Sequence, residues 1–146
     1  MKDLSLHILD IIQNSIVANA SLIEISIDED DVNDILSISI TDNGKGMSQE
    51  MLNNVTDPYA TTRSTRKVGL GLPLFKQNAE RTGGNLIISS ELGKGTTVTA
   101  TFKPSNIDCL PMGDIAGVIA LTVSGNPSVN FIYNHKKNGN LYCFNT

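Results

Sequence analysis

The sequence predicts an α/β (α+β) two-layer sandwich, with a mixed β-sheet, helices on one of its faces and a small C-terminal αβ extension. Three observations carry this. Several short segments alternate apolar and polar residues with the period of a strand. Two longer stretches, Asp3–Ala20 and the one around Phe75, read as helices. The outward faces of successive strands collect Ser, Thr and acidic residues, so one sheet face is polar and the other holds a core under the helices. A chain of 146 residues supports one such domain. Residues 1–103 are read as the principal unit, and 104–146 as an extension of one helix and a β-hairpin that caps the domain or docks a partner.

From Asp3 to Ala20, at about 100° per residue, Ile8, Leu9, Ile12 and Ile16 lie opposite a sector holding Asp3, His7, Asp10, Asn14 and Ala18. The polar sector is either a solvated face or a site, because Asp10 and Asn14 are spaced i, i+4 and project together. An amide oxygen is a good hard ligand for Mg²⁺, and a carboxylate beside it suits a general base or an orienting group. LIEISID, residues 22–28, is a strand with Ile23, Ile25 and Ile27 on one face, followed by the acidic turn DEDDVND. In ILSISITD, Leu36, Ile38, Ile40 and Asp42 share a face. Ser48 opens a short helix in SQEMLNNV. TDPYATTRSTRK has no hydrophobic periodicity and reads as a mobile loop placed to act as a lid. NLIISS and GTTVTATF form a hairpin around ELGKG, with Thr96, Val98, Ala100 and Phe102 on one face. DIAGVIALTV is apolar nearly all round and reads as a buried helix or, from its β-branched content, a strand. The last segment reads as a hairpin turning at Asn138-Gly139.

The stretch from Asp42 to Gly71 organises a candidate pocket. Asp42 points with the apolar residues of its strand, and a buried carboxylate needs a donor that a ligand amino group would supply. Gly44 and Gly46 follow in DNGKGM and allow a turn that a flat ring can approach. In VGLGLPLFKQNAERTGG, Pro73 suits a first helical turn and Gly83-Gly84 closes the helix. The amides from Gly69 to Leu72 then lie at a helix N-terminus, which favours phosphate. Arg63, Arg66 and Lys67 stand just upstream as counter-charges. No GxxxxGK[ST] occurs, and GLGLPL lacks the third glycine of a dinucleotide fingerprint.

Composition excludes other classes. A net charge of −4, with three tyrosines, four phenylalanines and no tryptophan, argues against a nucleic-acid surface. The apolar run around Ile115–Val123 falls short of the ~20 residues that span a membrane, and MKDLSLHILDIIQNS is no signal peptide. The expected location is the cytoplasm. Cys109 and Cys143 lack metal spacing and are expected to be reduced.

Together these motifs resemble the superfamily of gyrase, the heat-shock chaperone ATPases, histidine kinases and mismatch-repair ATPases, the GHKL or Bergerat-fold ATP-binding domain. DIIQN resembles its N box, DNGKGM its first glycine box, DPYATTR a lid entrance of the kinase kind, VGLGLPLFK its second glycine box and GKGTTVTATF its last. The resemblance covers roughly residues 3 to 103. It implies ATP and Mg²⁺ as cofactors, with Asn14 ligating Mg²⁺. Asp42 would accept a hydrogen bond from the adenine amino group, and Thr96 would support that contact through water. Gly44, Gly46, Gly69 and Gly71, with Met47, Leu70 and Leu72 of the same boxes, would line the pocket. Arg63 and Lys67 would meet phosphates. Asp10 stands where gyrase-like and anti-sigma kinase members carry a glutamate, and Tyr59 where many kinases have phenylalanine. The tail adds a likeness to short stand-alone kinase-like ATPases of anaerobic bacteria. Members of that group continue past this C-terminus, so a shortened chain is expected.

His7 lies about 10 Å along the same helix from Asn14 at ~1.5 Å per residue, and a rigid helix does not fold it onto a γ-phosphate. It is read as a hydrogen-bonding neighbour of Asp10, and His135 as a residue of an exposed turn. Two uses of ATP stay open. One is a protein kinase acting in trans on a histidine or serine of a separate protein. The other is an ATP-gated protein-binding switch with little or no catalysis. A detached piece of a topoisomerase- or chaperone-like machine ranks below both. The partner is an unidentified protein substrate or regulator, and the tail is a docking surface for it or for a second copy.

Overall fold

The computed structural model describes residues 3–54 and 67–146, with side chains described from Leu72 onward in the helix that opens at Lys67. The elements follow in the order α1 (Leu4–Val17), β1 (Leu22–Asp30), β2 (Ile35–Asp42), α2 (Gln49–Asn54), α3 (Lys67–Arg81), β3 (Asn85–Glu91), β4 (Gly95–Phe102), α4 (Ile115–Gly125), β5 (Asn130–Lys137) and β6 (Asn140–Asn145). The strands form one six-stranded sheet in the order β3-β4-β2-β1-β5-β6. Every neighbouring pair is antiparallel except β1 and β5, which run parallel. The sheet is therefore mixed, and the two-layer α/β class read from the sequence holds.

The alternation read from the strands decides which face is buried. Ile23, Ile25 and Ile27 of β1, Leu36, Ile38 and Ile40 of β2, and Val98, Ala100 and Phe102 of β4 all lie in the core. Each fully buried Ile contributes roughly 1.5–3 kcal/mol relative to an exposed one. α1, α3 and α4 pack over this face, while Ser26, Ser39 and Thr99 sit in register across the other. Asp3 caps α1 by accepting from the Leu6 amide at 3.0 Å. The Leu4 and Ser5 amides donate to the carbonyls of Pro111 and Met112, so the segment before α4 closes the start of α1. Ser48 caps α2 by accepting from the Met51 amide at 3.2 Å.

Three readings are sharpened here. DIAGVIALTV, open between helix and strand, is the helix α4. α3 starts at Lys67, so Pro73 lies inside the helix rather than in its first turn. The acidic segment is only partly a turn, since Asp28, Glu29 and Asp30 still pair with β2. The hairpin at the end turns at Asn138 (φ 49°) and Gly139 (φ 89°), the two left-handed residues that Asn-Gly supplies. β5 and β6 continue the same sheet with α4 packed on β5, and Ile115, Ile119, Phe131 and Tyr133 join the core.

Candidate nucleotide site

β2 ends at Asp42, between Ile23 of β1 and Thr96 of β4. Its carboxylate accepts from two donors: the Ser15 hydroxyl at 2.6 Å on Oδ2 and the Gly44 amide at 2.8 Å on Oδ1. A carboxylate has about four acceptor sites, so Asp42 is held in place with capacity left for a further donor. Ser15 was not among the residues picked out from the sequence. Its signal was there, because it falls at i+4 and i+7 from the buried Ile11 and Ile8, and a hydroxyl in an apolar stripe needs a polar partner.

The loop after Asp42 is anchored on both sides. Asn43 Oδ1 accepts from the Ser21 and Leu22 amides, and the Lys45 amide donates to the Ala18 carbonyl at the end of α1. On the other side the Met47 amide donates to Ser90 Oγ at 2.8 Å, and Ser90 shares a 2.8 Å hydrogen bond with Thr96. The glycines are required by these contacts. Gly46 has φ 71°, and a Cβ there would lie 2.1 Å from the Glu91 carbonyl oxygen. A Cβ on Gly44 would lie 2.8 Å from the Ala18 carbonyl oxygen. Their missing Cβ atoms make room for the protein's own backbone, in a turn whose positive φ at Gly46 the sequence reading expected.

Asp10 and Asn14 stand one turn apart on α1, the second of them next to Ser15. Asp10 is half-buried, and burial raises its carboxyl above the usual carboxylate range. Asn14 Oδ1 is buried without a hydrogen-bond partner among the described residues. Leaving such an acceptor unmet costs about 1–3 kcal/mol, which a ligand would recover. An amide oxygen one turn from a carboxylate fits a hard divalent cation such as Mg²⁺. Among the described residues no group of three or more His, Cys, Asp or Glu is placed to hold a metal ion by itself, so a cation at Asn14 would draw on phosphate and water as well.

Asp42, Gly44, Gly46, Met47 and Thr96 are thus tied together around the end of β2, and Asn14 directly precedes the Ser15 that bonds Asp42. Lys67, Gly69, Leu70 and Gly71 lie in the opening turns of α3, and Leu72, which follows them, is buried in the core. Arg63, Arg66 and Tyr59, with the expected lid, fall outside the described residues.

Both histidines depart from their reading. His7 is fully buried, stacks on Phe75 with ring centroids 4.8 Å apart, and pairs through Nε2 with Asn78 at 2.7 Å. Its partner is thus α3 and not Asp10, and burial lowers its pKa to about 4. His135 lies within β5, where Nε2 meets Glu29 at 2.6 Å and Nδ1 meets the Tyr133 hydroxyl at 2.7 Å. The polar sector of α1 is accordingly not a solvated face: His7 is buried, and Asp3, Asp10, Asn14 and Ala18 are partly buried.

Residues 2–106 match the family model described as histidine kinase-, DNA gyrase B-, and HSP90-like ATPase. The chain belongs to this ATPase family. It is a GHKL domain and binds ATP. The GHKL domain is 41% identical over 68 residues to sporulation kinase D of Bacillus subtilis (strain 168), covering 47% of this chain and 13% of that protein. It is 39% identical over 72 residues to the sensor histidine kinase ZraS of Escherichia coli (strain K12), covering 49% and 15%. Its fold is similar to the ATPase domain of Aquifex aeolicus MutL complexed with ADP, with a TM-score of 0.64 and 16% identity. That match covers 99% of this chain, the C-terminal elements included, and 63% of the other. The chain therefore spans a small part of the length of both kinases. Among the described residues no helix is long and apolar enough to cross a membrane.

Proposed function

We propose that this GHKL domain binds Mg-ATP in the cytoplasm and passes the γ-phosphate in trans to a separate signalling protein. The observation that carries this reading is the buried, unmatched Asn14 Oδ1 beside a half-buried Asp10 of raised pKa. In this reading Asp42 accepts from the adenine amino group while Ser15 and the Gly44 amide hold it, and Thr96 supports the contact through water. Gly44, Gly46, Met47, Gly69, Leu70, Gly71 and Leu72 line the pocket, and Arg63 and Lys67 meet phosphate oxygens. Mg²⁺, held by Asn14, would supply positive charge against the phosphates. Asp10 takes the proton of the attacking side chain as a bond to the γ-phosphorus forms, the bond to the β–γ bridging oxygen breaks and ADP leaves.

Incubation with Mg²⁺ and γ-labelled ATP, alone and with extract of the same cell, tests this. Acid-labile, alkali-stable label on another protein identifies a histidine acceptor, and acid-stable, alkali-labile label a serine. Asp10→Asn is expected to keep nucleotide and lose transfer. Retained transfer removes Asp10 from that role. ATP bound with no protein labelled discards the kinase and favours the gated binding switch, in which partner affinity follows nucleotide even in Asp10→Asn.

A further inference from the structure

Asp42, Thr96 and Ser90 line up across the sheet where β2 stops. Thr96 of β4 is paired in register with Asp42 of β2 on one side and with Ser90 of β3 on the other. Directly opposed residues share a face with Cβ atoms about 4.5–5.5 Å apart, so the Thr96 hydroxyl stands between a carboxylate and a serine. It is bound to the serine. Ser90 Oγ and Thr96 Oγ1 are 2.8 Å apart, whereas Asp42 accepts, among the described residues, from Ser15 and the Gly44 amide.

Ser90 has the capacity to hold it there. Its oxygen accepts from the Met47 amide at 2.8 Å and donates to the Gly95 carbonyl at 3.0 Å. A serine hydroxyl offers one hydrogen and two lone pairs. With the hydrogen on Gly95 and one lone pair on Met47, the other lone pair takes the hydrogen of Thr96. All three contacts are then satisfied, and Thr96 has no hydrogen left for Asp42.

The competing acceptor is close by. A hydroxyl donates more strongly to a carboxylate than to a neutral oxygen, and a change of staggered χ1 rotamer carries Thr96 Oγ1 from one cross-strand neighbour toward the other. In that position Thr96 would be a third donor on Asp42 and would take up capacity that a ligand amino group needs.

We propose that Ser90 is a positioning residue for base recognition: by taking the hydrogen of Thr96 it keeps Asp42 open to the amino group of the base. The proposal rests on the reading in which Asp42 and Thr96 meet adenine. Ser90 acts through Thr96, from the strand beyond it.

The test is the calorimetric affinity of the full chain for Mg-ATP and for Mg-bound purine riboside triphosphate, which lacks the 6-amino group. Wild type, Ser90→Ala, Ser90→Thr, Thr96→Val and the double variant are compared, each with its fold confirmed by far-UV circular dichroism, and Asp42→Asn is the control on the site. Ser90→Ala is expected to weaken ATP binding roughly five- to tenfold, about the worth of one hydrogen bond, and to weaken the analogue less. Ser90→Thr keeps a hydroxyl and is expected to keep the wild-type preference for ATP. With Thr96→Val no hydroxyl can turn onto Asp42, so adding Ser90→Ala is expected to have no further effect, a non-additivity that the double-mutant cycle isolates. If Ser90 only supports the Met47 loop, Ser90→Ala weakens both ligands alike and does so in the Thr96→Val background too; that result overturns the proposal. A loss of ATP affinity in Asp42→Asn with an unchanged preference in Ser90→Ala overturns it while leaving the site in place. Wild-type ATP affinity in Asp42→Asn overturns the site reading and the proposal together.

Discussion

α1 turns polar side chains into the protein at both ends, and each end leaves one buried polar atom without a partner among the described residues. At the N-terminal end it is His7 Nδ1, at the C-terminal end Asn14 Oδ1. The surroundings differ. His7 is stacked on Phe75 and bonded to Asn78, and its burial favours the neutral ring. Asn14 presents an oxygen one helical turn from the carboxylate of Asp10, so both favour a cation. An unmatched polar atom becomes a candidate site when its neighbours want the same ligand, and otherwise it is a cost that the core absorbs.

The largest expected effect is on stability at the His7 end. The folded pKa of about 4 lies below the unfolded value near 6.5, so the unfolded chain holds more protons between them. The associated stability is full above about pH 6.5 and lost as pH falls through 4, about 3 kcal/mol in all. Urea titrations across that range are expected to show this slope in the wild type and to lose it in His7→Phe, with ATP affinity unchanged. A fall in affinity with stability intact would break the comparison.

At the other end the order is reversed. Asp42→Asn is expected to weaken ATP binding by about 1–3 kcal/mol, because an amide replaces a charge-assisted acceptor and presents donors of its own. Calorimetric affinity left unchanged would remove Asp42 from the pocket. Ser15→Ala removes one of the two donors to that carboxylate and is expected to cost about 1–2 kcal/mol of stability. If Ser15→Ala lowers affinity as much as Asp42→Asn does, the hydroxyl itself meets the ligand. The smallest effect is that of Asp10→Asn on folding, and its sign is the informative part. A raised folded pKa means the charged carboxylate disfavours the fold at neutral pH, so the amide is expected to raise the melting temperature there. The gain should vanish once pH falls below about 4, where the carboxyl is neutral in both states. A lowered melting temperature at pH 7 would mean that Asp10 has a partner.

Much of this site was legible before folding. Alternation placed Asp42 on the buried face of β2, and the two glycine motifs named the family. Ser15 was harder, because its partner is 27 residues away and only the need for one could be inferred. His7 and His135 were misread for the same reason, since Asn78 and Glu29 stand 71 and 106 residues off in the chain. Pro73 misled in another way: proline is favoured in a first turn, and propensity yields where packing carries the helix further.

What the sequence alone determined is what local chemistry determines. That covers strand faces with period two, the Asn138-Gly139 turn with its positive φ angles, and the order of the ATP-site motifs. What only the tertiary structure decided is which buried polar atoms find partners, and that β5 returns parallel to β1 with β6 paired outside it. Both rest on contacts between residues far apart in the chain, which no window of local periodicity contains.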